Sequence, residues 1–235
     1  LRVRARSGPD PEAVAAVIVE PDSGGGFPPP NARAVVFDVV GTLVEPATPV
    51  AATYAAAGRR HGLDLDEATV AGRFRDAWRR QEAVDAAACP AFVTSPERER
   101  ARWRAIVDDV FGAGEAAAAA FIDLWDHYAT APAWRATPVA AQLVRAVRSA
   151  GLPIALASNF DDRLLVIAPL LDPLCHAGHV FTSADIGWRK PAGEFFRTLE
   201  RRLGRSPAEL LFVGDDPDLD IAAAAHAGWQ TWRVG

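Results

Sequence analysis

Apolar residues along this chain follow two rhythms, and the change between them falls near residues 47 and 134. From Arg33 the run AVVFDVV is short, β-branched and aromatic, which predicts a strand buried on both faces. Between Ala47 and Trp134 no such run occurs. That stretch is rich in Ala and Arg, and breaks at Gly62, Pro90, Pro96, Gly112 and Pro132 divide it into about four predicted helices. Trp78, Trp103, Phe111, Phe121 and Trp125 are expected to form the core of that helical block. After Pro138 helices and strands alternate: VAAQLVRAVRSAG, then LPIALAS, DRLLVIAPLL, HVFTS, AGEFFRTLERRLG, ELLFVGD, DIAAAAHAG and WQTWRV. Such alternation predicts an α/β fold with a doubly wound parallel sheet. Because one strand precedes the helical block, the block is expected to be an insertion into the α/β core.

The expected boundaries are therefore an extension or linker over residues 1–31, an α/β core over 32–46 plus 135–235, and a helical insert over 47–134. The linker reading rests on the glycine and proline run PDSGGGFPPP. Composition narrows the function classes. The chain has 235 residues, half of them hydrophobic, and a net charge of −5, which argues against a nucleic-acid partner because phosphate backbones are met by basic surfaces. No apolar run approaches the roughly 20 residues that span a bilayer, so no membrane partner is expected. The apolar stretch Ala13–Val19 runs into Glu20 without a small-residue cleavage site, which argues against a signal peptide. Cys89 and Cys175 are too few for a disulfide framework, and the five His residues lack zinc spacing. A cytoplasmic location is the resulting expectation.

In an open parallel sheet, ligands bind beyond the carboxyl ends of the strands, at the point where strand order reverses. Past the first strand stands DVVGT, from Asp38 to Thr42. Past the second stands Ser158-Asn159, and past the fourth Gly214-Asp215-Asp216-Pro217, with Asp220 close behind. Lys190-Pro191 precedes the helix after the third. Two acids, a hydroxyl and a lysine on one sheet edge suit a hard cation and an anion, as in phosphoryl chemistry. The lysine is informative by its rarity, since the chain has 24 Arg and this single Lys.

FDVVGTLVEP, ALASNFD, WRKP and FVGDDPDLDIAAAAHAG, in that order on alternating elements, resemble the four motifs of the haloacid dehalogenase superfamily of hydrolases. The resemblance implies a Rossmann-like core and a helical cap of the first type. It implies Asp38 as nucleophile and Lys190 as the cation facing it, with Mg2+ held by Asp38, Asp215 and the backbone carbonyl of Val40. Thr42, Ser158 and the backbone of Asn159 would hold the transferring group, and Asp220 would orient Lys190 or metal-bound water. The implied substrate is a small phosphorylated or otherwise activated metabolite.

One position departs from the phosphatase pattern. Two residues after the nucleophile those enzymes carry an Asp that protonates the leaving group, and here Val40 stands instead. General acid–base groups contribute roughly 10²–10⁴-fold, so simple alkyl phosphates are expected to be poor substrates. Glu45, Asp161 or an acid of the cap is a candidate substitute, and Tyr54, Arg59 and Arg73 are candidate cap contacts. A non-catalytic protein that keeps the metal and phosphate site, and a dehalogenase-type enzyme, are the alternatives.

Overall fold

The computed structural model describes residues 26–234. Most of the extension expected over 1–31 lies outside these. Its described end is not free linker, because the Phe27 ring packs on Trp232 with centroids 4.9 Å apart.

Five parallel strands form the central sheet: β1 (Ala34–Phe37), β4 (Ile154–Ser158), β5 (His179–Thr182), β6 (Leu210–Gly214) and β7 (Gln230–Arg233). Their spatial order is β5-β4-β1-β6-β7. Val35 lies opposite Ile154 on one side of β1 and opposite Leu211 on the other. Alternate residues of β1 enter different cores. Val35 and Phe37 pack with Leu143, Val144 and Leu164, whereas Ala34 and Val36 pack with Phe195, Phe196 and Leu199. Both faces are covered, which is why AVVF reads as a continuous apolar run with no alternation. The first core is supplied by α5 (Ala140–Ser149) and α6 (Arg163–Ile167), the second by α8 (Gly193–Leu203) and α9 (Ala223–His226).

Between β1 and α5 the chain leaves the sheet through an unforeseen ribbon. Strand β2 (Val44–Pro46) pairs antiparallel with β3 (Trp134–Ala136). Three-residue strands, one ending in proline, carry too little period to be read from sequence. The ribbon is the stem for α1 (Val50–Arg60), α2 (Glu67–Ala87), α3 (Pro96–Phe111) and α4 (Glu115–His127). Their ends follow local chemistry. The Asp66 carboxylate accepts from the Thr69 amide at 2.8 Å to cap α2. Ser95 caps α3 ahead of Pro96 in its first turn, and Gly112 ends α3 at a positive φ. These helices share their own core, including Tyr54, Val107, Phe111, Phe121 and Leu124.

Two elements are shorter than their sequence suggested. DRLLVIAPLL is helical only to Ile167, because Pro169 turns the chain into a 3₁₀ turn, Ala168–Leu170. A π-helical turn, Pro217–Ala222, precedes α9. A four-residue helix, α7 (Ser183–Ile186), follows β5. No helix among the described residues is long and apolar enough to cross a membrane.

Candidate active site

Strand order reverses at β1, with β4 and β6 on either side, so the ends of these three strands bring their following residues together. Asp38 follows β1, Ser158 ends β4 and Asp215 follows β6. Asp38 is nearly inaccessible. Its Oδ1 accepts from Lys190 Nζ at 2.6 Å and from Ser158 Oγ at 3.1 Å. Lys190 Nζ also donates to Asp220 Oδ1 at 2.5 Å. The chain's single lysine thus bridges two buried carboxylates. Burial opposes its charge, but Asp38 and Asp220 outweigh that and hold its pKa above the ordinary lysine value. Burial pushes the Asp220 carboxyl upward despite the ammonium beside it. Burial also raises Asp215, against a hydrogen bond from Thr42 that favours its charged form.

The other predicted site residues divide into those facing the cluster and those supporting it. Thr42 is fully buried, and its hydroxyl donates to Asp215 Oδ1 at 2.9 Å. Thr42 therefore positions Asp215, a role the resemblance did not name. The Asn159 side chain is likewise engaged. Its Oδ1 accepts from the Lys190 amide at 2.7 Å and its Nδ2 donates to the Lys190 carbonyl at 3.0 Å, clamping the lysine's backbone and leaving only its own backbone for a ligand. Asp220 Oδ2 accepts from the Asp216 amide at 3.1 Å, so both of its oxygens are used. Asp216 caps the π-helical turn, accepting from the Asp218 and Leu219 amides at 2.8 Å. Gly41 lies at φ +96°, and a Cβ there would come within 2.5 Å of Asp215 Oδ2. Only glycine lets the turn after β1 pass this close to the acid.

Asp38, Asp215 and Asp220 place carboxylate oxygens within 4.8 Å of one another. Three acids against one ammonium leave an excess of negative charge. Among the described residues, Oδ2 of Asp38 and Oδ2 of Asp215 accept no hydrogen bond. One open oxygen on each of two adjacent acids matches what a small hard cation takes from protein.

Above this cluster lies a cavity of about 600 Å³, roofed by α1–α4. Val40 and Tyr54 line it, whereas Arg59 and Arg73 do not, and Arg73 instead donates to the Val110 carbonyl at 2.8 Å. Trp78, Trp103, Phe121 and Trp125, expected only as bundle core, also line the cavity. Trp78, Trp103 and Trp125 are half-buried, and period alone does not separate a core ring from a cavity ring. The proposed substitute acids are engaged elsewhere. Glu45 pairs with Arg135 at 2.8 Å on the outside, and buried Asp161 holds Arg163 through both oxygens at 2.8 and 2.7 Å.

The profile of the haloacid dehalogenase-like hydrolases matches residues 32–228. The chain belongs to that family. Among relatives of this haloacid dehalogenase-like hydrolase is the mouse protein called haloacid dehalogenase-like hydrolase domain-containing protein 3. It is 29% identical over 208 residues, covering 86% of this chain and 81% of that one. A phosphoglycolate phosphatase of Shigella boydii serotype 4 is 32% identical over 215 residues, covering 83% and 78%. Among solved structures, the defluorinating L-2-haloacid dehalogenase Rha0230 aligns with a TM-score of 0.65 at 24% identity, covering 85% of this chain and 80% of that one. That last likeness concerns the fold.

Two residues that the sequence reading did not single out also shape the site. Arg189, beside Lys190, is buried and its Nη1 donates to both oxygens of buried Glu99 at 2.7 Å. Glu99 sits on α3, so this pair ties the helical block to the strand-end loop that carries Lys190. In sequence Glu99 looks like a member of a solvated arginine-rich helix, and Arg189 stands inside WRKP beside the lysine with nothing to show that it pairs with α3.

Proposed function

We propose that this hydrolase transfers a phosphoryl group from a small phosphorylated or otherwise activated metabolite to Asp38 and then to water, with Mg2+ as cofactor. The supporting observation is the held Asp38 carboxylate, gripped at Oδ1 by Lys190 and Ser158 and open at Oδ2. Asp38 attacks phosphorus, the bond from phosphorus to the leaving oxygen breaks, and that oxygen departs with the electron pair. Water then cleaves the aspartyl phosphate, releasing inorganic phosphate and restoring Asp38. Lys190 neutralises negative charge building on the transferring oxygens, and Asp220 and the Asn159 clamp keep it in place. Asp38, Asp215 and the Val40 carbonyl would hold the Mg2+, which supplies Lewis-acid charge when bound. Helices α1–α4 act as a cap that excludes water and selects the substrate.

Val40 sets the limit on chemistry. It lines the cavity and transfers no proton, and Glu45 and Asp161 are committed to arginines. Glu82, an acid of the cap that lines the cavity, is held by Arg102, so the site favours a leaving group that departs unprotonated. The test is Mg2+-dependent phosphate release from acetyl phosphate, p-nitrophenyl phosphate and sugar phosphates. Turnover confined to the acyl and aryl compounds is expected. No turnover with Mg2+ bound would instead identify a binding protein, and chloride release from 2-chloropropionate a dehalogenase.

Two substitutions probe the parts. Val40→Asp is expected to raise alkyl phosphate hydrolysis by roughly 10²–10⁴-fold; an unchanged rate would show that the missing acid is not what limits the enzyme. Asp215→Asn removes one open anionic oxygen and should weaken Mg2+ binding by about ten-fold or more. Titration calorimetry reads this directly, and an unaltered affinity would take Asp215 out of the metal site.

A further inference from the structure

We infer that the substrate is an aryl phosphate monoester with a flat, apolar body larger than a single ring. The inference rests on the phosphoryl-transfer reading above and adds the nature of the group that leaves. Two independent features converge on it.

The first is the cavity wall. Beyond the Asp38 cluster the space of about 600 Å³ is faced by Trp78, Trp103, Phe121, Trp125 and Phe160. Trp78 and Trp103 have centroids 5.7 Å apart, and Phe121 and Trp125 5.6 Å. Several charged groups of the wall are already paired. Arg163 is bound by Asp161 and lies 3.7 Å over the Trp125 ring, Arg189 is bound by Glu99, and Glu82 by Arg102. Burial raises the pKa of Tyr54 and Tyr128, and the Tyr128 hydroxyl is a polar atom of this wall with no hydrogen-bond partner among the described residues. Exposed Arg75 and Arg79 also line the space, but a polyhydroxylated body would meet mostly ring surface and exchange its water for fewer partners than it has in solution, which is unfavourable. A flat aromatic body would stack. A two-carbon body would leave most of the volume unfilled.

The second feature is Val40. With no proton to offer, the site favours a leaving oxygen that is stable as an anion, and a phenol, titrating near 10 in the case of tyrosine, is far better placed than an alcohol. Aryl phosphates satisfy both conditions at once. On attack by Asp38 the bond from phosphorus to the aryl oxygen breaks, the aryloxide carries away the pair, and it takes its proton from solvent after release.

The experiment compares kcat/KM, with Mg2+, for phenyl phosphate, 2-naphthyl phosphate, glucose 6-phosphate and acetyl phosphate on the whole protein. Phenol and 2-naphthol are similarly acidic, so their ratio reads the cavity. We expect 2-naphthyl phosphate to exceed phenyl phosphate by about ten-fold or more, and glucose 6-phosphate to be inert. Trp103→Ala should cut the 2-naphthyl to acetyl phosphate ratio by about ten-fold, and Trp103→Phe, which keeps a ring, by less. Turnover of acetyl phosphate without a naphthyl preference would overturn the aryl inference and leave the role of Asp38 standing. If no ester or acyl phosphate turns over, the phosphoryl-transfer reading fails. Calorimetry with 2-naphthylphosphonate then decides the ligand class: binding that weakens in Trp103→Ala supports the aryl cavity, and no binding overturns it.

Discussion

Asp38→Asn lowers phosphate release by about 10⁴-fold or more while leaving the protein folded. The amide has the size of the carboxylate, so the packing at the end of β1 changes little. It cannot attack phosphorus, and it gives Lys190 no counter-charge. Lys190 keeps Asp220 at 2.5 Å, so the ammonium is not stranded and the fold survives. Steady-state release from acetyl phosphate, together with an unshifted urea midpoint, checks both halves of this expectation. A variant retaining more than about a tenth of the rate would show that another group carries the phosphoryl transfer.

Arg189→Met produces the largest loss of stability. Glu99 is 1% exposed and Arg189 2%, and their contact is part of a wider network. Glu99 also accepts from Ser183 Oγ at 3.0 Å and Thr94 Oγ1 at 3.1 Å, while Arg102 binds Asp85 at 2.9 Å and also Glu82. Three carboxylates share two guanidiniums. Removing one guanidinium leaves Glu99 as a buried, uncompensated charge, a change that costs about 3–5 kcal/mol. The same change cuts the tie between α3 and the loop bearing Lys190, so activity should fall with stability. Urea unfolding measures the first effect. Adding Glu99→Gln removes the stranded charge and should restore part of the loss, because the penalty lies in the unpaired carboxylate more than in the missing attraction. A single variant within about 1 kcal/mol of the natural protein would mean that water reaches Glu99.

The two cases differ in how visible they are in sequence. Asp38 announces itself: an acid directly after a run of buried β-branched residues, followed by glycine at a turn, stands where a parallel sheet exposes its ligand edge. Lys190 is marked by being the only lysine among 25 basic residues. Arg189 and Glu99 carry no such mark. They are 90 positions apart, Glu99 stands among the charges of a mostly solvated helix face, and Arg189 is overshadowed in sequence by the lysine beside it. Thr42 shows the same limit at short range. Its place after Asp38 suggested contact with the transferring group, but the turn at Gly41 aims its hydroxyl at Asp215, 173 residues away.

The five sheet strands, the longer helices, the α/β class, the position of the helical block and the acids at the sheet edge were legible in the sequence alone. Each depends on local spacing: period, breakers, caps, and the residues just past a strand end. The tertiary structure decided which rings of the helical block face a cavity and which face each other. It also decided that Thr42 and Asn159 hold other site residues in place, and that Arg189 and Glu99 join the two parts of the molecule. Those outcomes depend on which way each helix turns against the sheet, and many weak contacts between distant residues set that rotation.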